Sequence, residues 1–212
     1  MSVKPIFFAL DGKHLDNFSR ELEILKGNIY GVKVGLEMFT SEGPSSVEKL
    51  KKDGWTVFLD LKLHDIPNTV QAAAISAGNI GADYLTIHIA SGKEALLAAK
   101  ESKPENLKLL GVSTALTSKA YSPQISQRVY EEFLLAKESK IDGVICPPSE
   151  LFKTKELFEL IVTPGIRLKN DDSHDPKNIA TPEKAIRDGA SYLVMGRSIR
   201  QNINYVVEKL KL

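Results

Sequence analysis

The stretch FLDLKLHDIPNT, residues 58–69, opens as an apolar run and then sets Asp60, Lys62 and Asp65 within six residues. Such a run reads as a strand covered on both faces, and residues 70–78 beyond it carry helical spacing. An unpaired charge at the end of a buried strand costs several kcal/mol, so three alternating charges there call for a partner or a use. The same pattern recurs along the chain. Apolar runs stand at IFFAL (6–10), YGVKVG (30–35), TVFLDL (56–61), YLTIHI (84–89), KLLGVST (108–114), GVICP (143–147), ELIVTP (159–164) and YLVMG (192–196). Between them lie amphipathic segments, among them 15–26, 45–52, 94–101, 129–140 and 205–212. Eight alternations of strand and helix are the grammar of a parallel sheet. At about 26 residues per unit, right-handed crossovers close most simply into a single (β/α)8 barrel over residues 1–212; an open doubly wound sheet is the other arrangement of the same units.

Composition narrows the function classes. With 28 Lys+Arg against 27 Asp+Glu the formal net charge is +1, which gives no field suited to nucleic acid or an anionic membrane. Any bound anion is expected at a local site. Cys146 is the single cysteine, so neither an internal disulfide nor a multi-cysteine metal cluster can form, in keeping with a cytoplasmic protein; it reads as a small buried hydrophobe. The run at 6–10 stops at Asp11 and is too short for a signal peptide or a membrane span, so a soluble, unprocessed chain is expected. Helix starts are marked at Thr181-Pro182-Glu183 and, similarly, at Ser149-Glu150. No linker marks a domain boundary. One loop, 166–180 (IRLKNDDSHDPKNIA), is polar, aperiodic and longer than barrel connections need.

In barrels of this kind chemistry gathers at the C-terminal ends of the strands, and phosphate often binds after strands 7 and 8. Those ends carry Asp11, Lys33, the pair Asp60 and Lys62 with Asp65 behind it, His88, Thr114 and Thr117, Pro164-Gly165, and Gly196-Arg197. Asp60 and Lys62 are two apart, so strand alternation points both to one side. Taken singly, Asp11 or Lys33 also fits a helix cap or a solvated rim charge, and Asp60, Lys62 and Asp65 also fit a structural ion-pair network. His88 reads as a hydrogen-bonded histidine of the core or behind the site, since no neighbour gives it metal-ligand spacing. Gly196-Arg197 before a helix suits an anion: glycine permits close backbone approach, the helix start offers free N–H groups, and arginine adds a fork.

The segment DLKLHDIPNT, residues 60–69, resembles the D-x-K-x-x-D-I-P-x-T signature of the orotidine 5′-phosphate decarboxylase family. Other segments of that family occur in order: FALD ending at Asp11, VKVG around Lys33, LTIHI with His88, ALTS with Thr117, TPGIR from Thr163 to Arg167, TPEKA, and VMGRSI with Arg197. The resemblance implies a (β/α)8 homodimer that uses no cofactor or metal and converts orotidine 5′-phosphate to uridine 5′-phosphate and carbon dioxide in pyrimidine biosynthesis. It makes Lys62 the proton donor within a network of Lys33, Asp60, Lys62 and the neighbouring subunit's Asp65, with Ile66 and Thr69 also crossing to the partner's site. Asp11 and Lys33 would hold ribose hydroxyls, Thr117 the pyrimidine, and Pro164, Arg167, Gly196 and Arg197 would line the phosphate end. One departure stands out: Asp175-Pro176 occupies the place of the Asp-Gln whose glutamine reaches the phosphate, which leaves Lys169, Asn170 or Asn178 as substitutes. Metal-dependent sugar-phosphate lyases and synthases share D-x-K-x-x-D, but this segment continues I-P-N-T without their extra acids. A non-catalytic nucleotide-binding relative is a further alternative, and the intact Lys62 argues against it.

Overall fold

Each apolar run becomes a strand in the computed structural model, which describes residues 3–113, 122–168 and 180–212. The strands are β1 (Lys4–Ala9), β2 (Ile29–Gly35), β3 (Thr56–Leu63), β4 (Tyr84–His88), β5 (Lys108–Val112), β6 (Gly143–Ile145), β7 (Ile161–Thr163) and β8 (Tyr192–Met195). All neighbours are parallel, and β1 closes on β8 with Phe7 opposite Val194 and Phe8 opposite Met195. That closure excludes the open doubly wound sheet. Strands 6 and 7 are shorter than the apolar runs suggest: Pro147 and Pro164, which have no N–H for the ladder, lie beyond them, and β7 begins only at Ile161.

The helices are α1 (Ser19–Leu25), α2 (Leu36–Glu42), α3 (Pro44–Lys52), α4 (Pro67–Asn79), α5 (Lys93–Ser102), α6 (Pro123–Glu138), α7 (Leu151–Thr154), α8 (Pro182–Asp188), α9 (Arg197–Gln201) and α10 (Ile203–Glu208). Helix α2 was not apparent in the sequence pattern. It buries only Met38 and so carries no apolar stripe, and it ends at Gly43, whose φ of 63° lets the chain turn directly into Pro44. The Thr181 cap forms as expected, its hydroxyl accepting the Lys184 N–H at 3.3 Å. Ser149 does not act as a cap: it lies inside a short 3-10 turn, Pro148–Glu150, and Glu150 precedes α7 without a side-chain capping bond.

The strand starts share a device. Asp83, just before β4, accepts the Val57 N–H of β3 at 2.7 Å and pairs with Lys51. Asp142, just before β6, accepts the Leu109 N–H of β5 at 2.8 Å, and the Ser191 hydroxyl, just before β8, accepts the Ile161 N–H of β7 at 3.0 Å. Each satisfies a donor at the barrel floor that would cost about 1–3 kcal/mol if left buried and unpaired. Above that floor the barrel is filled by Phe7, Phe58 and Tyr84 with Tyr30 and Tyr192 packed against them, and the Tyr30 and Tyr84 hydroxyls bond each other at 2.8 Å. The interior is therefore closed at the N-terminal end, and the opposite end is free to carry chemistry.

Cys146 is wholly buried, its sulfur 3.2 Å from the Thr154 hydroxyl, and burial pushes its thiol up to about 12, as suits a packing residue. Among the described residues no helix is long and apolar enough to cross a membrane.

Candidate active site

The strand ends bring four charges into one chain of contacts. Lys33 rises from β2 with its side chain 10% exposed and reaches both Asp11 Oδ1 at 3.3 Å and Asp60 Oδ2 at 3.6 Å. Asp60 Oδ1 accepts the Lys62 ammonium at 2.8 Å and the Thr86 hydroxyl at 2.9 Å. Burial by itself would raise the Asp60 carboxyl; the Lys33 and Lys62 charges and these hydrogen bonds outweigh it, and its pKa falls below the ordinary aspartate value. Asp60 is thus ionised throughout the neutral range. The stability gained from its pairing is present above the ordinary aspartate pKa and is lost only as the pH falls through the lowered one.

Simple strand alternation does not account for the meeting of Asp60 and Lys62. Phe58 and Leu59 pair with Tyr84 and Leu85, and the register resumes only at Leu63 opposite Ile87, so Asp60, Leu61 and Lys62 face Thr86 alone. This is a bulge, and within it Lys62 takes φ 52°, a left-handed conformation that costs a residue with a Cβ about 1–2 kcal/mol. The Lys62 N–H, displaced from the ladder, donates to the Thr86 hydroxyl at 2.9 Å. The charges converge because β3 is bent at its end.

Two glycines make the crowding possible. A Cβ on Gly196 would lie 3.2 Å from Asp11 Oδ2, and one on Gly35 would lie 3.1 Å from the Lys33 ammonium. Gly196 also joins β8 to α9, so Asp11 and the exposed Arg197 flank the same strand end. Beside the network is a cavity of about 190 Å³ lined by Asp11, Lys33, Gly35, Leu36, Asp60 and Lys62, among others.

The segment after β7 is tied to the start of α9. Gly165 has φ 75°; the Arg167 N–H donates to the Ala180 carbonyl at 3.0 Å, and the Leu168 N–H donates to the Ser198 hydroxyl of α9 at 3.2 Å. These bonds hold Pro164 and Arg167 near the start of α9. Thr114, Thr117, Lys169, Asn170, Asp175, Pro176 and Asn178 lie outside the described residues.

Asp65, Ile66 and Thr69 are placed differently. All three are exposed at the turn into α4, and Ile66 is 65% exposed. The Asp65 carboxylate accepts its own Ile66 N–H at 2.7 Å and makes no ion pair among the described residues. One chain alone does not bring Asp65 to Lys62. His88 departs from expectation in one respect: its Nδ1 is buried without a hydrogen-bond partner among the described residues. Burial, then the neighbouring His64 ring at 5.4 Å, lowers its pKa and keeps it neutral at neutral pH. Thr86 was not singled out from the sequence. The available signal was a hydroxyl inside an otherwise apolar strand, two residues before His88.

A closed parallel barrel whose C-terminal face carries a lysine–carboxylate chain, largely buried at Lys33 and Asp60 and open to solvent at Asp11, is the architecture of a barrel enzyme, whose substrate sits at that face. Comparison with known proteins defines the family. The chain belongs to the orotidine 5′-phosphate decarboxylase / HUMPS family, which it matches over residues 4–210. It is 40% identical to the orotidine 5′-phosphate decarboxylase of Fusobacterium nucleatum, over 95% of this chain and 91% of that protein. It is 39% identical to the decarboxylase of Halalkalibacterium halodurans, over 93% and 92%. The crystal structure of orotidine 5′-phosphate decarboxylase from Lactobacillus acidophilus superposes with a TM-score of 0.77 at 34% identity, covering 93% of this chain and 92% of that one.

Proposed function

We propose that this protein decarboxylates orotidine 5′-phosphate to uridine 5′-phosphate in pyrimidine biosynthesis, with Lys62 as proton donor and with neither metal nor organic cofactor. The observation that carries the reading is the continuous contact chain Asp11–Lys33–Asp60–Lys62 beside an open cavity. The relatives' shared activity supports the substrate.

The chemistry explains the residues. When the bond between the ring carbon and the carboxylate breaks, carbon dioxide leaves and the electron pair stays in a ring-carbon orbital with no adjacent carbonyl to spread it. A fixed cation beside that carbon is the natural stabiliser. The Lys62 ammonium fills that role, transfers a proton to the carbon, and regains one from solvent after product leaves. Asp60 aims the ammonium, and Lys33 holds Asp60 in place by its other oxygen. Asp60 would also lie near the departing carboxylate and disfavour bound substrate relative to the transition state, a smaller contribution. Asp11 and Lys33 would take ribose hydroxyls and Thr117 the pyrimidine, while Pro164, Arg167, Gly196 and Arg197 would line the phosphate end. The phosphate is remote from the bond that breaks, and its binding energy can offset distortion and desolvation at the reacting carbon. We further assign the chain one catalytic domain, a cytoplasmic location, and a homodimer in which Asp65, Ile66 and Thr69 complete the partner's site.

The direct test is the fall in orotidine 5′-phosphate absorbance with purified protein, with and without chelator. Turnover unchanged by chelator is expected, because each Asp60 oxygen is already paired with an ammonium. A magnesium requirement would move the protein to the metal-dependent sugar-phosphate branch, and an absence of turnover would leave a nucleotide-binding relative. The phosphate assignment has its own check. Arg197→Ala should weaken uridine 5′-phosphate binding by about 1.5–3 kcal/mol, the scale of a hydrogen bond to a charged group, and hardly change binding of uridine. Equal losses for both ligands by calorimetry would take Arg197 away from the phosphate.

A further inference from the structure

Thr86 sits opposite the bulge of β3, wholly buried in the middle of β4. We propose that Thr86 is a positioning residue for the decarboxylation: its hydroxyl ties the left-handed backbone of Lys62 to the Asp60 carboxylate and so sets the geometry of the ammonium and the carboxylate that face the substrate. The inference rests on the decarboxylase reading of the site.

A hydroxyl has one proton to give. Here it goes to Asp60 Oδ1 at 2.9 Å, which leaves a lone pair to accept the Lys62 N–H at 2.9 Å. Asp60 Oδ1 also takes the Lys62 ammonium at 2.8 Å, so the contacts close into a ring running from Thr86 to Asp60, through the Lys62 side chain to its backbone, and back to Thr86. An ion pair alone would leave the four-carbon stem of Lys62 free to swing. The ring fixes that stem at its tip through Asp60 and at its root through the N–H. Two features of the site need this. Lys62 occupies a left-handed conformation unfavourable to any residue with a Cβ, and its N–H has left the ladder. The β-branch of Thr86 limits χ1 and so helps hold the hydroxyl at the right angle.

A purely structural role, satisfying the N–H of a bulge, would lower stability without altering turnover of the folded protein. The two roles separate with Thr86→Val, which keeps the shape and loses the hydroxyl, and Thr86→Ser, which keeps the hydroxyl. On folded wild-type and variant protein we expect Thr86→Val to lower kcat about ten- to hundredfold, the scale of losing a hydrogen bond to a charged group. KM for orotidine 5′-phosphate should stay within about threefold, since phosphate and ribose contacts lie elsewhere. Thr86→Ser should restore kcat to within about threefold of wild type. Independently of turnover, carbon NMR should find the Asp60 carboxyl titrating at higher pH in Thr86→Val, because one donor to its ionised form is gone. Lys33 from β2 and Lys62 from its own strand still face it, with Asp11 beyond Lys33, so that rise should be partial.

A folded Thr86→Val with kcat within about twofold of wild type would overturn the inference, as would a folded Thr86→Ser as impaired as the valine variant. If Thr86→Val does not fold, Thr86→Ala is read by the same criteria; failure of both to fold, with Thr86→Ser intact, would make Thr86 structural and overturn the inference. A wild-type protein without decarboxylase activity would instead overturn the parent reading. The Asp60 titration would then still decide whether Thr86 sets that carboxylate.

Discussion

Lys62→Ala is expected to abolish decarboxylation while leaving the barrel folded and able to bind uridine 5′-phosphate. The alanine takes away both the cation beside the reacting carbon and the proton that replaces carbon dioxide. The loss should therefore exceed the roughly hundred- to thousandfold typical of deleting one stabilising donor. The fold should survive. Residue 62 remains a non-glycine at φ 52°, so the backbone strain is unchanged, and the Thr86 hydroxyl can still accept its N–H. Asp60 keeps the Lys33 ammonium at 3.6 Å and the Thr86 hydroxyl at 2.9 Å. Its carboxyl pKa should rise, because Lys62 lowers it both by its charge and by its hydrogen bond, while the Lys33 charge and the Thr86 hydroxyl still oppose the effect of burial. Affinity for uridine 5′-phosphate should stay within about tenfold, since the phosphate and ribose ends do not depend on Lys62. Turnover and affinity measured on one folded preparation decide the matter. A variant within tenfold of wild-type turnover would sink the proton-donor assignment, and activity and binding lost together would make Lys62 structural.

How much of this was legible in the sequence depends on which contacts are local. The barrel was legible because each strand is buried on both faces and announces itself as an apolar run, and eight such runs at even spacing leave few topologies. The register inside β3 was not. Asp60 and Lys62 were expected together by alternation, whereas the meeting depends on a bulge set by pairing with β4, a contact between segments some two dozen residues apart. The same limit hid Thr86, whose importance lies wholly in what stands across from it. Helix α2 was missed for a different reason: seven residues with one buried side chain leave no periodic trace. In the sequence Gly196 reads as room for an anion and Gly35 carries no signal of its own, while the fold shows both as spaces left for Asp11 and Lys33.

Mixing two inactive variants is expected to restore activity. Asp65 belongs to the signature segment, yet its carboxylate finds only its own neighbour's N–H, and no ammonium of its own chain pairs with it among the described residues. Beside it Ile66 is 65% exposed, and Leu36, the first residue of α2 and part of the cavity lining, is 55% exposed, both unusual for large apolar side chains. A second copy covering this face would bury them and bring Asp65 to the partner's Lys62, extending the network to Lys33–Asp60–Lys62–Asp65 across the interface. Asp65→Ala should then inactivate as a site defect, leaving monomer stability nearly unchanged because the exposed carboxylate holds little in its own chain. A heterodimer of Lys62→Ala and Asp65→Ala subunits has one site carrying both changes and one carrying neither. Equal amounts of the two, allowed to exchange, place half the subunits in heterodimers, and one site in each of these is intact, so about a quarter of wild-type activity should return. Subunit exchange must be confirmed separately, for example by mass spectrometry with one variant isotopically labelled. Heterodimers present without any recovered turnover would refute shared sites and place Asp65 outside the catalytic network.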